Sequence, residues 1–157
     1  MSEHQIELEW LRGEQPFVDH KYSRRHLVKF DGGQEVPYSS SPSSVRIPFS
    51  DPTAVDPEES LIAALSSCHM LWFLALAAKQ GFRLDRYQDQ AVGTMTKNEH
   101  GKLFISHIRL APQVVFSGEK VPSEEEYQHL HHLAHEECFI AASIRAEVVC
   151  IASMQLA

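Results

Sequence analysis

The sequence has few cysteines, no basic cluster and no second long apolar run. Its three cysteines are an odd, low number without close spacing, and no signal-like segment opens the chain, so we expect a reducing cytoplasm. The 14 Lys and Arg are scattered and outnumbered by 21 Asp and Glu, for a formal charge of −7. This balance argues against a nucleic-acid partner and an anionic membrane surface. Small neutral or apolar ligands fit better.

The apolar run at 61–78 raises the question of a membrane span. Polar side chains interrupt its middle at 66–69, where the sequence reads SSCH. A helix that is apolar on every side in a soluble protein is a buried central helix or an interface helix. We therefore expect such a helix rather than a membrane segment.

The order of predicted elements gives the fold class. We expect one domain over 1–157, with N-terminal strands and a Ser-rich loop over 1–50, a central helix over 56–80 and a hairpin over 89–116. A second helix and a final strand fill 123–157. Strands and helices do not alternate as βαβ units, so the fold is α+β with segregated layers.

Shorter patterns predict the individual elements. Strands are expected at 6–10, 27–30 and 145–153, and Pro48 limits any strand at 46–49 to a sheet edge. The hairpin strands 89–97 and 102–116 are joined through 98–101. Asp56 and Pro57 begin the central helix, and Ser123 with Glu126 forms a capping box at the start of the second helix, which ends near 137.

Cys68 lies in the middle of the apolar run and is either inert packing or a reactive group. It follows Pro57 by eleven residues, about 16 Å along a helix, where the helix dipole has faded. A thiolate there needs a cation that the fold brings in. The same distance separates Cys68 from Glu58 on one straight helix.

The tract 56–69, DPEESLIAALSSCH, closely resembles the signature of the osmotically inducible protein C and organic hydroperoxide resistance (OsmC/Ohr) family. In that family a helix headed by Asn-Pro-Glu leads to the peroxide-reacting cysteine eleven positions after the proline. The tract 132–143, HLAHEECFIAAS, is similar to the segment that carries the family's second, resolving cysteine. The likeness covers most of the chain from about Tyr22 onward.

The resemblance implies an OsmC-like fold of antiparallel sheets and a long central helix in an intertwined homodimer. It implies a cysteine-based peroxidase that reduces organic hydroperoxides, with Cys68 as nucleophile, Cys138 as resolving thiol and an external thiol or dithiol as reductant. It implies no bound cofactor or metal.

The family also uses an early-strand arginine, held by the glutamate of the Pro-Glu motif, to stabilise the thiolate. That glutamate is Glu58, and the segment 22–26, YSRRH, holds two candidate arginines. We favour Arg24 over Arg25. The chain departs from the family pattern at 50–55 and at Phe139, which indicates a divergent OsmC-like branch.

The His-rich stretch 129–135 suggests a rival metal site. His131 and His135 share one helix face, and Cys138 follows three residues after His135, a spacing that could hold zinc. We expect instead that these histidines lie at the surface or an interface, some beside glutamates. His69 and Cys150 are expected to be packing residues.

Two other functions remain open. One is a thiol redox sensor that passes its disulfide to a partner, and the other is a non-catalytic metal- or ligand-binding module on the same fold.

Overall fold

The computed structural model describes residues 1–157 and divides them into two compact units, Met1–Ser60 and Leu61–Ala157. The helix α1 (Pro57–Lys79) begins in the first unit and runs on through the second. Each unit is described by itself below.

The first unit contains an antiparallel sheet in the order β1-β2-β3. Its strands are β1 (Ile6–Glu9), β2 (His26–Phe30) and β3 (Glu35–Tyr38). The turn between β2 and β3 closes through the N–H of Gly33, which donates to Phe30 O and has a φ of 84° that favours glycine. The segment 46–49 forms turns and no edge strand, with Phe49 N–H bonded back to Arg46 O.

The second unit holds two three-stranded sheets, ordered β4-β7-β9 and β5-β6-β8. Their strands are β4 (Arg83–Gln88), β5 (Val92–Lys97), β6 (Leu103–Leu110), β7 (Gln113–Ser117), β8 (Glu147–Cys150) and β9 (Ser153–Leu156). A second helix, α2 (Glu124–Glu137), and a short 3₁₀ helix, Ala141–Ser143, complete it. The α+β class is confirmed.

The predicted hairpin is confirmed as β5–β6, but the strand expected over 102–116 is two strands. Pro112 has no N–H to give to a ladder, and the N–H of Ala111 donates to the carboxylate of Asp89 instead. The chain therefore leaves one sheet at this point and enters the other. The final strand predicted over 145–153 is likewise two strands, β8 in one sheet and β9 in the other.

The last two strands pair in parallel rather than antiparallel. β8 lies parallel to β6 and β9 parallel to β7, while the β4–β7 and β5–β6 pairs are antiparallel. Both sheets of this unit are therefore mixed. Because β8 follows β6 and β9 follows β7 in the same direction, the chain crosses from one sheet to the other between β8 and β9, as it does between β6 and β7.

Only one stripe of α1 is buried. Leu65, His69, Phe73 and Ala77 follow one another at intervals of four residues and face the core. Phe73 and Ala77 join a cluster with α2 and the sheet β4-β7-β9, whereas Leu65 packs with residues of β6 and with Cys138. The opposite face remains open, and Leu71 there is 59% exposed.

Candidate functional site

The start of α1 fixes the position of Cys68. An Asp56 oxygen accepts from the N–H of Glu59 at 2.8 Å, and the Glu59 carboxylate accepts from the N–H of Asp56 at 3.2 Å. This reciprocal cap satisfies N–H groups that a helix end leaves unpaired. The predicted start of the helix is confirmed, and Cys68 lies three turns further along.

Cys68 is partly exposed and lines an apolar cavity of about 470 Å³. The other lining residues are Ala64, Ser67, Leu71, Trp72, Ala75, Phe139 and Ile140. The side chain of Phe139 is 69% exposed and meets Trp72 edge to face, with ring centroids 5.6 Å apart. The cavity is thus open and offers mainly carbon atoms to a ligand.

Cys138 lies where α2 ends and is 1% exposed. Its sulfur accepts from the N–H of Ala141 at 3.4 Å. Burial raises the pKa of the Cys138 thiol, and a hydrogen bond with Cys68 raises it further. The structure therefore brings the two predicted redox cysteines together, although 70 residues separate them in the sequence.

The two thiols are free and differ in access to solvent. A partly exposed sulfur beside a buried one suits a reaction in which the first is oxidised and the second then condenses with it. The open apolar cavity beside Cys68 gives a small apolar reactant access to that sulfur.

Arg24 belongs to the first unit and is partly buried there. Its Nη1 donates to the carbonyls of His20 and Tyr22, and its guanidinium carbon lies 3.9 Å from the centre of the Tyr22 ring. Arg25 forms an ion pair with Asp51 instead. Its charge is thus already matched by a carboxylate, whereas the contacts of Arg24 are with carbonyls and a ring.

Glu58 is partly buried in the first turn of α1, between the two capping residues. The contacts of the Arg24 guanidinium do not include the Glu58 carboxylate. Arg24 does line the same cavity as Pro57, the residue before Glu58. The predicted Arg24–Glu58 pair therefore stays a prediction.

A buried histidine pair is the feature that sequence reasoning missed. His131 was expected at the surface or an interface, but it is 3% exposed within the chain, and its Nδ1 lies 3.0 Å from Nε2 of His69. Burial lowers the pKa of His69 to about 4 and that of His131 to about 3, so both rings are neutral at pH 7. Cys150 lies beside them, and burial raises its pKa to about 12.

The spacing of α2 could have indicated that His131 is buried. Tyr127, Leu130, His131 and Ala134 form its buried face, so His131 continues an i, i+3, i+4 pattern of core residues. His132 lies on the exposed face, 3.4 Å from Glu136, as predicted for a histidine beside a glutamate. The predicted contact between a histidine and a glutamate is confirmed for His132, whereas His131 is buried.

Comparison with known proteins decides the family. The family model described as OsmC-like protein matches residues 50–152. The chain belongs to the OsmC-like family. Its structure superposes with a TM-score of 0.95 on an OsmC-like protein of unknown function from Vibrio cholerae, at 48% identity over 98% of this chain and 100% of that one. No curated protein matches the chain by sequence.

More distant family structures share the fold. The organic hydroperoxide resistance protein OhrB of Bacillus subtilis superposes with a TM-score of 0.64 at 16% identity, over 98% of both chains. An organic hydroperoxide resistance protein of Legionella pneumophila, also described as a predicted redox protein, gives 0.65 at 15% identity, over 99% of this chain and 98% of that one. These two likenesses show the fold alone.

The family match also bears on α1. Its length and composition alone would allow it to cross a membrane. The whole chain matches a solved OsmC-like protein, however, so α1 is the central helix of a soluble fold.

Proposed function

We propose that this OsmC-like protein is a thiol-dependent peroxidase that reduces organic hydroperoxides. The observation that carries the proposal is the contact between the thiols of Cys68 and Cys138 beside an open apolar cavity. Two cysteines kept only for packing would not need one of them exposed at a cavity mouth. Family members named as organic hydroperoxide resistance proteins agree with this function.

The reaction proceeds in two chemical steps. The Cys68 thiolate attacks the terminal oxygen of ROOH, the O–O bond breaks, and the alkoxide leaves as ROH after taking up a proton. Cys68 is then a sulfenic acid. The Cys138 sulfur attacks it, the S–O bond breaks, and a disulfide and water form. An external thiol or dithiol supplies the two electrons that restore both cysteines.

The cavity favours an organic substrate over hydrogen peroxide. Leu71, Trp72 and Phe139 offer apolar surface beside Cys68. An alkyl or aryl group placed there is removed from water, and this burial favours binding by about 25 cal/mol per Å² of buried apolar area. Hydrogen peroxide has no such group, so it gains nothing from this surface.

Arg24 is proposed to stabilise the Cys68 thiolate, and Glu58 to orient Arg24. A guanidinium keeps its charge at any working pH and can bond a carboxylate on one side while facing an anion on the other. These two roles rest on the family resemblance. We further propose that the protein works as a homodimer in the cytoplasm.

Stopped-flow mixing of reduced protein with cumene hydroperoxide or hydrogen peroxide tests the function. We expect faster oxidation by cumene hydroperoxide, a Cys68–Cys138 disulfide by mass analysis, and repeated turnover when a dithiol is added. Cys68→Ser should abolish oxidation, while Cys138→Ser should stop at a sulfenic acid.

Other outcomes would change the proposal. A disulfide that forms without dithiol-driven turnover would indicate a redox sensor. Absence of the Cys68–Cys138 disulfide would remove the two-cysteine mechanism. Failure of both peroxides to oxidise Cys68 would leave a binding module.

A further inference from the structure

We propose that His69, His131 and Cys150 form a Zn²⁺ site that is separate from the two redox cysteines. One ligand atom from each residue lies within 4.8 Å of the other two. Two imidazole nitrogens and one thiolate make up a donor set that zinc takes in proteins, with water in the fourth position. The ligands come from α1, α2 and β8, which are three regular elements.

The two rings carry hydrogen-bonding capacity that the protein does not use. In the His69–His131 hydrogen bond one neutral ring donates and the other accepts. His69 Nδ1 and His131 Nε2 are then left without a partner, although both side chains are buried. Such groups are rare in protein interiors because each costs desolvation free energy. A metal ion bound between the rings would replace this hydrogen bond and take one nitrogen lone pair from each ring.

The observed distances suit zinc after small movements. Zn–N bonds of about 2.0–2.1 Å in a tetrahedral site place two nitrogens about 3.3 Å apart, and a nitrogen and a sulfur about 3.5 Å apart. His69 Nε2 and His131 Nδ1 are 3.0 Å apart, and the Cys150 sulfur is within 4.8 Å of one ring nitrogen of each histidine. A shift of roughly one ångström at Cys150 closes the site, as a change in its side-chain torsion can provide.

The local charge also favours a cation. The Asp89 carboxylate accepts from the N–H of Ala111 at 2.7 Å and from the Ser66 hydroxyl at 2.5 Å. After burial, its negative charge is the largest cause of the raised pKa of Cys150. The Zn²⁺ charge is balanced by the Cys150 thiolate and Asp89, so the filled site carries no net charge.

The ion can enter through a cavity of about 250 Å³. His131 and Cys150 line this cavity together with Gln128, His132, His135 and Val148. On binding, the Cys150 thiol releases its proton to solvent and a Zn–S bond forms, while the neutral rings donate lone pairs. No electrons are transferred. This ligand set replaces the one suggested by spacing, in which His135 was paired with Cys138.

The test uses the full chain with Cys68→Ser and Cys138→Ser, which leaves Cys150 as the sole thiol. After removal of metal with a chelator, we expect one Zn²⁺ per chain in competition with a chromophoric chelator. Co²⁺ should give a tetrahedral spectrum with a thiolate charge-transfer band. Because this host lacks both redox cysteines, failure of zinc binding and failure of the peroxidase proposal are distinguishable.

Two further substitutions in that host locate the site. Cys150→Ser should remove the charge-transfer band and weaken zinc binding by about 100-fold or more, since even outer-shell changes cost about 10–100-fold. His129→Gln replaces an exposed histidine of α2 and should change neither result.

X-ray absorption of the zinc-loaded host decides the matter even if Cys150→Ser does not fold. We expect one sulfur at about 2.3 Å and nitrogen or oxygen ligands at about 2.0 Å. Zinc bound without sulfur, zinc retained by folded Cys150→Ser, or no stoichiometric binding would each overturn the proposal.

Discussion

At the scale of single residues, Cys68 and Cys138 have environments that suit the different tasks proposed for them. Cys68 is partly exposed in the middle of α1, whereas Cys138 is buried behind it at the end of α2. The accessible sulfur can meet a peroxide, and the buried one can meet only Cys68. Burial therefore supports the proposed order of attack, in which Cys68 reacts first and Cys138 second.

The raised pKa of Cys138 predicts a pH dependence for disulfide formation. Below that pKa the thiolate fraction rises about tenfold per pH unit, and the thiolate is the attacking form. The decay of the Cys68 sulfenic acid should therefore accelerate from pH 6 to pH 8 without reaching a plateau. Trp72 lines the same cavity, so its fluorescence can follow a single turnover.

Cys138→Ser is the control for this pH profile. Its sulfenic acid should persist at every pH and remain open to trapping by a carbon nucleophile. A wild-type decay rate that is flat between pH 6 and pH 8 would contradict a buried thiol as the attacking group.

Arg24 and Arg25 are adjacent, so replacing each by alanine gives a matched pair of variants. We expect Arg24→Ala to slow oxidation of Cys68 by about tenfold or more, because a nearby opposite charge favours the ionised form by at least that factor. Arg25→Ala should have little effect on this rate, since Arg25 pairs with Asp51. Stopped-flow oxidation by cumene hydroperoxide measures both, and the reverse order of effects would assign the role to Arg25.

The sequence predicted the positions of residues that belong to local motifs. Cys68 follows a helix cap by a fixed spacing, and Cys138 ends a capped helix, so their positions in the fold could be predicted, while their redox roles stay a prediction. The partner of His131, in contrast, is His69, which is 62 residues away. No local pattern reports that contact, so the histidine pair emerged only from the fold.

At the scale of elements, Ile62 of α1 packs closely against Gly93 of β5. A Cβ added there would lie 2.5 Å from Cδ1 and 3.0 Å from Cγ1 of Ile62. We expect Gly93→Ala to lower the free energy of unfolding by about 1–3 kcal/mol, because the helix side chain must move. Urea denaturation measures the change.

Ile62→Val removes the methyl group that collides and should relieve part of this cost. The double variant should then be less destabilised than the sum of the two single changes, by about 0.5 kcal/mol or more. Gly32→Ala is the control, since its added Cβ meets nothing within 4 Å and should be nearly neutral. Strict additivity of Gly93→Ala and Ile62→Val would show that this contact does not limit packing.

Helices were predicted better than strands in this chain. The caps at Asp56 and Ser123 lie in the sequence itself, and both helices begin where those residues indicate. β4 was missed, and 102–116 was assigned to one strand, because pairing partners decide where strands stop. The Asp89 carboxylate that takes the N–H of Ala111 is an example of such a distant cause.

At the scale of the whole molecule, the exposed apolar face of α1 indicates a protein interface. The helix is apolar on every side, but a single stripe of four residues is buried. Leu71, Trp72 and Phe139 leave apolar surface around Cys68. A second copy of the chain would cover this surface symmetrically, as expected for a two-fold homodimer.

The single domain predicted over 1–157 likewise stays a prediction, and one cooperative unfolding transition would support it.

The dimer prediction can be tested at Leu71, the most exposed large apolar side chain of α1. A charge there would be buried in the interface without a partner, so Leu71→Glu should convert a dimer into a monomer in analytical ultracentrifugation. Val121→Glu places the same charge at another exposed apolar position and should leave the dimer intact. A wild-type monomer at micromolar concentration, or a Leu71→Glu protein that still sediments as a dimer, would remove α1 from the interface.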